Sequence, residues 1–215
     1  MLALPFALAF TGRWYGYLIA PRLILASASP ARLRVLRDAG FDPEVVVSGV
    51  SERIGKVDTA RAVVVLAERK GAAVAERCPG SLVLACDSLL DLDGSALGKP
   101  ASPQEATDIW RRLSGHRGVL HTGHCLIDTR TDRRVSRLAS TVVRFGTPTR
   151  AEIAAYVASG EPLAVAGAFT IDGRAGPFVD GIEGDPSNVL GLSLPLFRLM
   201  LDEFGLSVTD LWKVR

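Results

Sequence analysis

Cysteine is scarce in this sequence, and the little there is lies scattered. Cys78, Cys86 and Cys125 are its three cysteines. They are odd in number and contain no Cys-x-x-Cys pair, so neither a disulfide framework nor a cysteine-based zinc site is expected. A reducing cytoplasm fits such usage, each thiol serving as a small buried hydrophobe. An excess of charge is missing too. The 25 basic residues meet 23 acidic ones for a formal +2, no footprint of a nucleic-acid binder, and the three arginines of the first helix are the nearest thing to a basic patch. Histidines number three. His121 and His124 fall in one expected strand at an odd separation, which sends them to opposite faces, and His116 lies in the preceding loop. Converging histidine ligands for a metal are therefore not expected.

Long apolar runs are also absent. Met1 to Phe10 is apolar but too short to span a bilayer. Its first arginine, Arg13, follows the run, the reverse of a secretory leader. Residues 1–21 read as an extension outside the core, and no membrane contact is expected. Equally missing are the Gly-x-Ser-x-Gly elbow, the Walker loop and the Gly-x-Gly-x-x-Gly fingerprint.

What is present is an alternation of strand and helix patterns from Arg22 onward. With 215 residues, 48% of them apolar, the chain suits a single domain over 22–215 with a substantial core. The expected strands are Leu23–Ala26, Val45–Val47, Ser81–Cys86, Gly118–Ile127 and Val135–Phe145, with Leu163–Ile171 extended. Helices are expected over Pro30–Ala39, Asp58–Arg77, Ser102–Leu113, Thr149–Ala158 and Val189–Phe204, Pro195 displacing or kinking the last. Asp172–Ser187 reads as irregular. The fold class is α/β with a mixed sheet.

Three stretches carry chemistry. In LASASPARLRVL, Ser29-Pro30 is a helix start, and Arg32 follows in the first turn. A cation there opposes the macrodipole at a cost of about 0.3–1 kcal/mol. A bound phosphate would reverse that sign, meeting free N–H groups, Ser27, Ser29 and the guanidinium. The plainer alternative is an ordinary cap with Arg32 turned to water. Asp87 ends the apolar run SLVLACD, where ligands gather in open α/β sheets. Asp93-Gly94 is a two-residue hairpin turn. Counting outward pairs Leu92 with Ser95, Asp91 with Ala96, Leu90 with Leu97, and finally Ser88 with Lys99, which returns Lys99 to Asp87. Asp91 and Asp93 belong to the turn and its solvated face. Glu52, just past a short strand, is a second hard-oxygen candidate for Mg²⁺. Lys70 on the long helix reads as a surface residue.

Taken together, LASASPARLRVL, SGVSE, LVLACDS, LGKP, LSGHRGVLHTG, Tyr156 with SGEP, AGAFTIDG and GDPSNVLGLSL resemble, in order, the motifs of Maf-like nucleoside triphosphate pyrophosphatases. The resemblance covers nearly all of the chain from Arg22. It implies an α/β fold like that of inosine-triphosphate pyrophosphatases, with flanking helices and a central cleft in the sheet. It implies a divalent metal, usually Mg²⁺, and hydrolysis of a nucleoside triphosphate to monophosphate and pyrophosphate, clearing non-standard or modified nucleotides. A homodimer is implied as well. By the same resemblance Asp87 is the catalytic acid–base and, with Glu52, a metal ligand, while Ser27, Ser29, Arg32, Lys70 and Lys99 bind substrate. The first arginine of the family's Ser-Pro-Arg-Arg is Ala31 here, the threonine after the aspartate is Ser88, and a frequent glutamine is Asp172. These three positions bear on base choice. An acceptor-only Asp172 would favour a base edge rich in N–H groups, such as guanine. The alternative function is a nucleotide-binding regulator of cell division with little catalysis.

Overall fold

The computed structural model describes residues 21–53, 55 and 57–213; the reading of residues 1–20 as an extension lies outside the described residues. The chain opens with β1 (Arg22–Leu25), α1 (Pro30–Asp38), β2 (Glu44–Val45) and α2 (Thr59–Ala75). A long hairpin follows, β3 (Ser81–Leu92) with the short β4 (Ser95–Leu97), then α3 (Pro103–Leu113). Two more long antiparallel partners, β5 (Arg117–Asp128) and β6 (Arg133–Phe145), precede α4 (Arg150–Ala158), β7 (Val179–Glu183), α5 (Pro186–Val189) and α6 (Leu194–Glu203). The strands form one mixed sheet in the order β2-β1-β3-β5-β6-β7, with β4 beside β3. β2 and β3 run parallel to β1, and the remaining pairs are antiparallel.

Each helix start is chemically specified. Ser29, Asp58, Ser102, Thr149 and Ser193 cap α1, α2, α3, α4 and α6 by accepting a backbone N–H on their side-chain oxygens. The pleat then sorts the core. Leu82, Leu84 and Cys86 of β3 pack with Leu36, Phe197 and Met200 on the α1/α6 face. Val83 and Ala85 pack with Ala67 and Val74 of α2 on the other face. A third cluster joins Leu90, Leu120 and Val143 to Trp110 and Tyr156 of α3 and α4.

Helix α2 lies unusually close to the sheet. Gly123 of β5 faces it, and a Cβ there would stand 2.2 Å from the Val63 carbonyl oxygen. Only a residue without a side chain fits.

Two expectations are corrected. No strand forms over 163–171: 3₁₀ turns at Glu161–Ala164 and Ala166–Ala168 interrupt it, with Val165 and Phe169 extended between and after them. Gly167 and Ala168 have φ of 67° and 59°, which no strand accommodates. The stretch 172–187 contains β7, hidden in the sequence because Asp180-Gly181 reads as a turn. The hairpin register is as counted for Leu90–Leu97, Asp91–Ala96 and Leu92–Ser95, about a turn with Asp93 and Gly94 both at positive φ. Asp91 is not merely solvated: its carboxylate accepts from the Thr59 hydroxyl at 2.5 Å, tying the start of α2 to β3.

Candidate active site

β1 ends early. Its pairing with β3 stops at Leu25–Leu84, extended by the Ala26 N–H to the Leu84 carbonyl at 2.8 Å. β4 takes up the same edge of β3 only from Leu90. Between them, among the described residues, Cys86 to Leu89 have no strand neighbour on that side. A cavity of about 670 Å³ opens into this split, walled by the first turn of α1, the loop after β2, α2 and residues 164–170. Asp87 therefore lies not at the end of its own strand, as expected, but beside the end of β1.

Asp87 and Ser88 are adjacent on β3 and point to opposite faces. That places them in two separate polar systems. On the α1 face, Arg32 is buried. Its Nε donates to the Gly191 carbonyl at 2.7 Å, Nη1 to Ser27 Oγ at 3.0 Å and Nη2 to Ser88 Oγ at 3.0 Å. Ser88 Oγ lies 2.9 Å from Thr122 Oγ1. A guanidinium has five N–H donors. Three are taken, so one remains on each terminal nitrogen, and among the described residues no carboxylate pairs with the group. That residue is a fork matched to two phosphate oxygens. Ser27 also accepts the Ser29 N–H at 3.2 Å, and Ser29 caps the helix through the Arg32 N–H at 3.4 Å.

The α2 face holds the acids. The Lys70 ammonium donates to Glu52 Oε1 at 2.6 Å and to Asp87 Oδ1 in a short contact. Lys70 and Asp87 are buried, their side chains 10% and 9% exposed, whereas Glu52 is 67% exposed. The two carboxylates are pushed apart in acidity. Burial raises Asp87 above the usual carboxylate range, outweighing Lys70 and Arg32. The hydrogen bond from Lys70 holds Glu52 below it. Such a split is what acid–base assignments rest on. The trio sums to −1, from one ammonium and two carboxylates, and both carboxylates already converge on one cation.

The remaining candidates divide. Lys99 is exposed on the cavity wall and acts on Glu52 at longer range. It does not pair across from Ser88: β4 stops at Leu97, and the Gly98 carbonyl instead accepts the Gly167 N–H at 2.9 Å. The cation against Asp87 is Lys70, a site residue by the resemblance although its place on the long helix alone reads as surface. The signal was available, because Lys70 falls on the apolar stripe of α2 with Val63, Leu66, Ala67 and Val74. Asp172 needs correction as well. It does not line the cavity, and its carboxylate is taken by Arg34 and the Thr170 hydroxyl. The base-reading face expected of it is thus occupied, although Thr170 itself reaches the cavity wall. All three cysteines are buried and free, Cys86 pushed up to about 12 by burial. Among the described residues no three His, Cys, Asp or Glu side chains gather as a metal centre, and no helix is long and apolar enough to cross a membrane.

Comparison with known proteins identifies the family. Residues 22–204 match the family model described as Maf-like protein. A nucleoside triphosphate pyrophosphatase of Streptomyces coelicolor is 59% identical over 194 residues, covering 89% of this chain and 94% of its own. One from Streptomyces avermitilis is 57% identical, covering 90% and 96%. Another from Rippkaea orientalis is 46% identical, covering 92% and 97%.

Proposed function

Given that the chain belongs to the Maf-like protein family, we propose that it hydrolyses a nucleoside triphosphate to the monophosphate and pyrophosphate. The observation that carries this reading is the pairing, across one cavity, of an unneutralised guanidinium fork with a buried carboxylate whose pKa burial raises. The names of the relatives support the same reaction class.

The chemistry follows from the two walls. Arg32, Lys99 and the first turn of α1 hold the polyphosphate and neutralise charge that accumulates on the leaving pyrophosphate. Asp87 accepts a proton from water as the water oxygen bonds to the α-phosphorus. The bond from the α-phosphorus to the α–β bridging oxygen breaks, and pyrophosphate departs with that oxygen. Burial, by raising the affinity of Asp87 for a proton, makes it a better base than a solvated carboxylate. Lys70 holds the carboxylate in place and favours its ionised form against burial.

A divalent cation fits the donor set. Glu52 and Asp87 offer two hard oxygens that already meet at one cation, and Mg²⁺ commonly takes one or two carboxylates with substrate phosphates and water. When bound, such an ion would supply electrostatic neutralisation of the phosphates.

The reading extends to non-standard bases. Ser88 is engaged by Arg32 and Thr122, and Asp172 by Arg34 and Thr170. With two of the three expected base-choice positions committed within the protein, discrimination among bases is weak, which suits a clearing enzyme. A panel of common and modified triphosphates, assayed for pyrophosphate with Mg²⁺ and with EDTA, tests all of this. Release from several bases that EDTA abolishes is expected; no pyrophosphate from any member would overturn the function.

A further inference from the structure

His124 is fully buried on β5, away from the acids, and the mechanism above gives it no part. Its ring is held at both nitrogens. Nδ1 lies 3.1 Å from the Thr122 carbonyl, a group that only accepts, so Nδ1 carries the proton. Nε2 is then the acceptor, and it takes the Ser193 N–H at 2.9 Å. Burial keeps the ring neutral by driving its pKa to about 4, so that lone pair persists at neutral pH. Ser193 caps α6 through the Leu196 N–H at 3.2 Å, and two residues earlier the Gly191 carbonyl receives Arg32 Nε. The Thr122 side chain, on the other flank, completes the Ser88 contact to Arg32 Nη2. One imidazole thus ties the Gly191–Ser193 segment, which carries one of the three acceptors of the guanidinium, to β5, whose Thr122 backs a second through Ser88.

We infer that His124 is a positioning residue for substrate phosphate: by holding the Ser193 N–H it keeps the Gly191 carbonyl against Arg32 Nε and so aims the two free N–H groups of Arg32 into the cavity. The inference rests on the proposed role of Arg32 in holding the polyphosphate. A buried N–H left without its acceptor moves or takes in water, and the fork it supports moves with it.

The test is a double-mutant cycle read by calorimetric binding of inorganic tripolyphosphate, which carries the phosphates without a base. Arg32→Ala is expected to weaken binding about 10- to 100-fold, as for a lost hydrogen bond to a charged group. His124→Leu should weaken it at least about fivefold, and the Arg32→Ala/His124→Leu double variant should bind no worse than Arg32→Ala alone. His124→Gln, which keeps an acceptor at similar reach, should recover most of the affinity. Thermal unfolding checks that each variant is folded. Independent, additive losses, or full affinity in a folded His124→Leu, would overturn the inference while leaving the function standing. Absence of tripolyphosphate binding by the unaltered protein, or no effect of Arg32→Ala, would overturn both.

Discussion

The two faces of β3 treat a buried cation in opposite ways. Arg32 is surrounded by neutral oxygens from Gly191, Ser27 and Ser88, and so presents its full charge to the cavity. Lys70, across the strand, is held between Glu52 and Asp87, and its charge is more than cancelled. Residues 87 and 88 are neighbours in sequence, yet the pleat assigns one to each system. The lesson is that polarity of a site is set less by which cations line it than by what holds them. A polyanion is met by one wall, and a proton donor or cation by the other.

Breaking the acidic wall should cost most. Asp87→Asn keeps the volume but removes the proton acceptor, and pyrophosphate release should fall by at least about 10²–10³ with the fold intact by circular dichroism. On the opposite wall, Arg32→Ala should act mainly on substrate affinity, raising KM about 10- to 100-fold while kcat falls less. If both substitutions changed kcat and KM alike, the division between the walls would not hold.

The difference sharpens with pH. Asp87 must be ionised to accept a proton, so kcat falls as pH drops through its pKa. Lys70 pulls that pKa down against burial. Lys70→Met should therefore move the acidic limb of the kcat profile to higher pH, and a shift to lower pH would contradict the assigned electrostatics. Gly123→Ala probes the packing that brings α2 to β3. Its Cβ would meet the backbone of Val63, with an expected loss of about 1–3 kcal/mol by chemical denaturation. Arg34→Ala, removing a half-exposed pair with Asp172, should change stability by about 0–1 kcal/mol and leave turnover of the common triphosphates nearly unaltered.

Much of this arrangement is legible in the sequence, and the gaps have physical reasons. Caps and apolar runs mark β1, α1, α2, α3 and α4 because local chemistry specifies them. β7 is not legible, since Asp180-Gly181 is shaped by pairing with β6 and not by local preference. In the site, Asp87, Glu52 and the Ser27–Arg32 segment stand out by position next to strand ends. Lys70 is marked by the apolar stripe of α2 and by the resemblance, but which carboxylates it faces is set by the fold and not by local sequence. The Lys99 pairing fails because hairpin counting assumes the ladder continues, and the Gly167 contact ends it at Leu97.

The central claim is hydrolysis at the α-phosphorus by water delivered from the Asp87 side, and isotope tracing tests it most directly. Turnover in ¹⁸O-water, followed by ³¹P NMR or mass spectrometry, should put the label in the nucleoside monophosphate and leave pyrophosphate unlabelled. Label in pyrophosphate, or release of orthophosphate with a nucleoside diphosphate, would contradict the account.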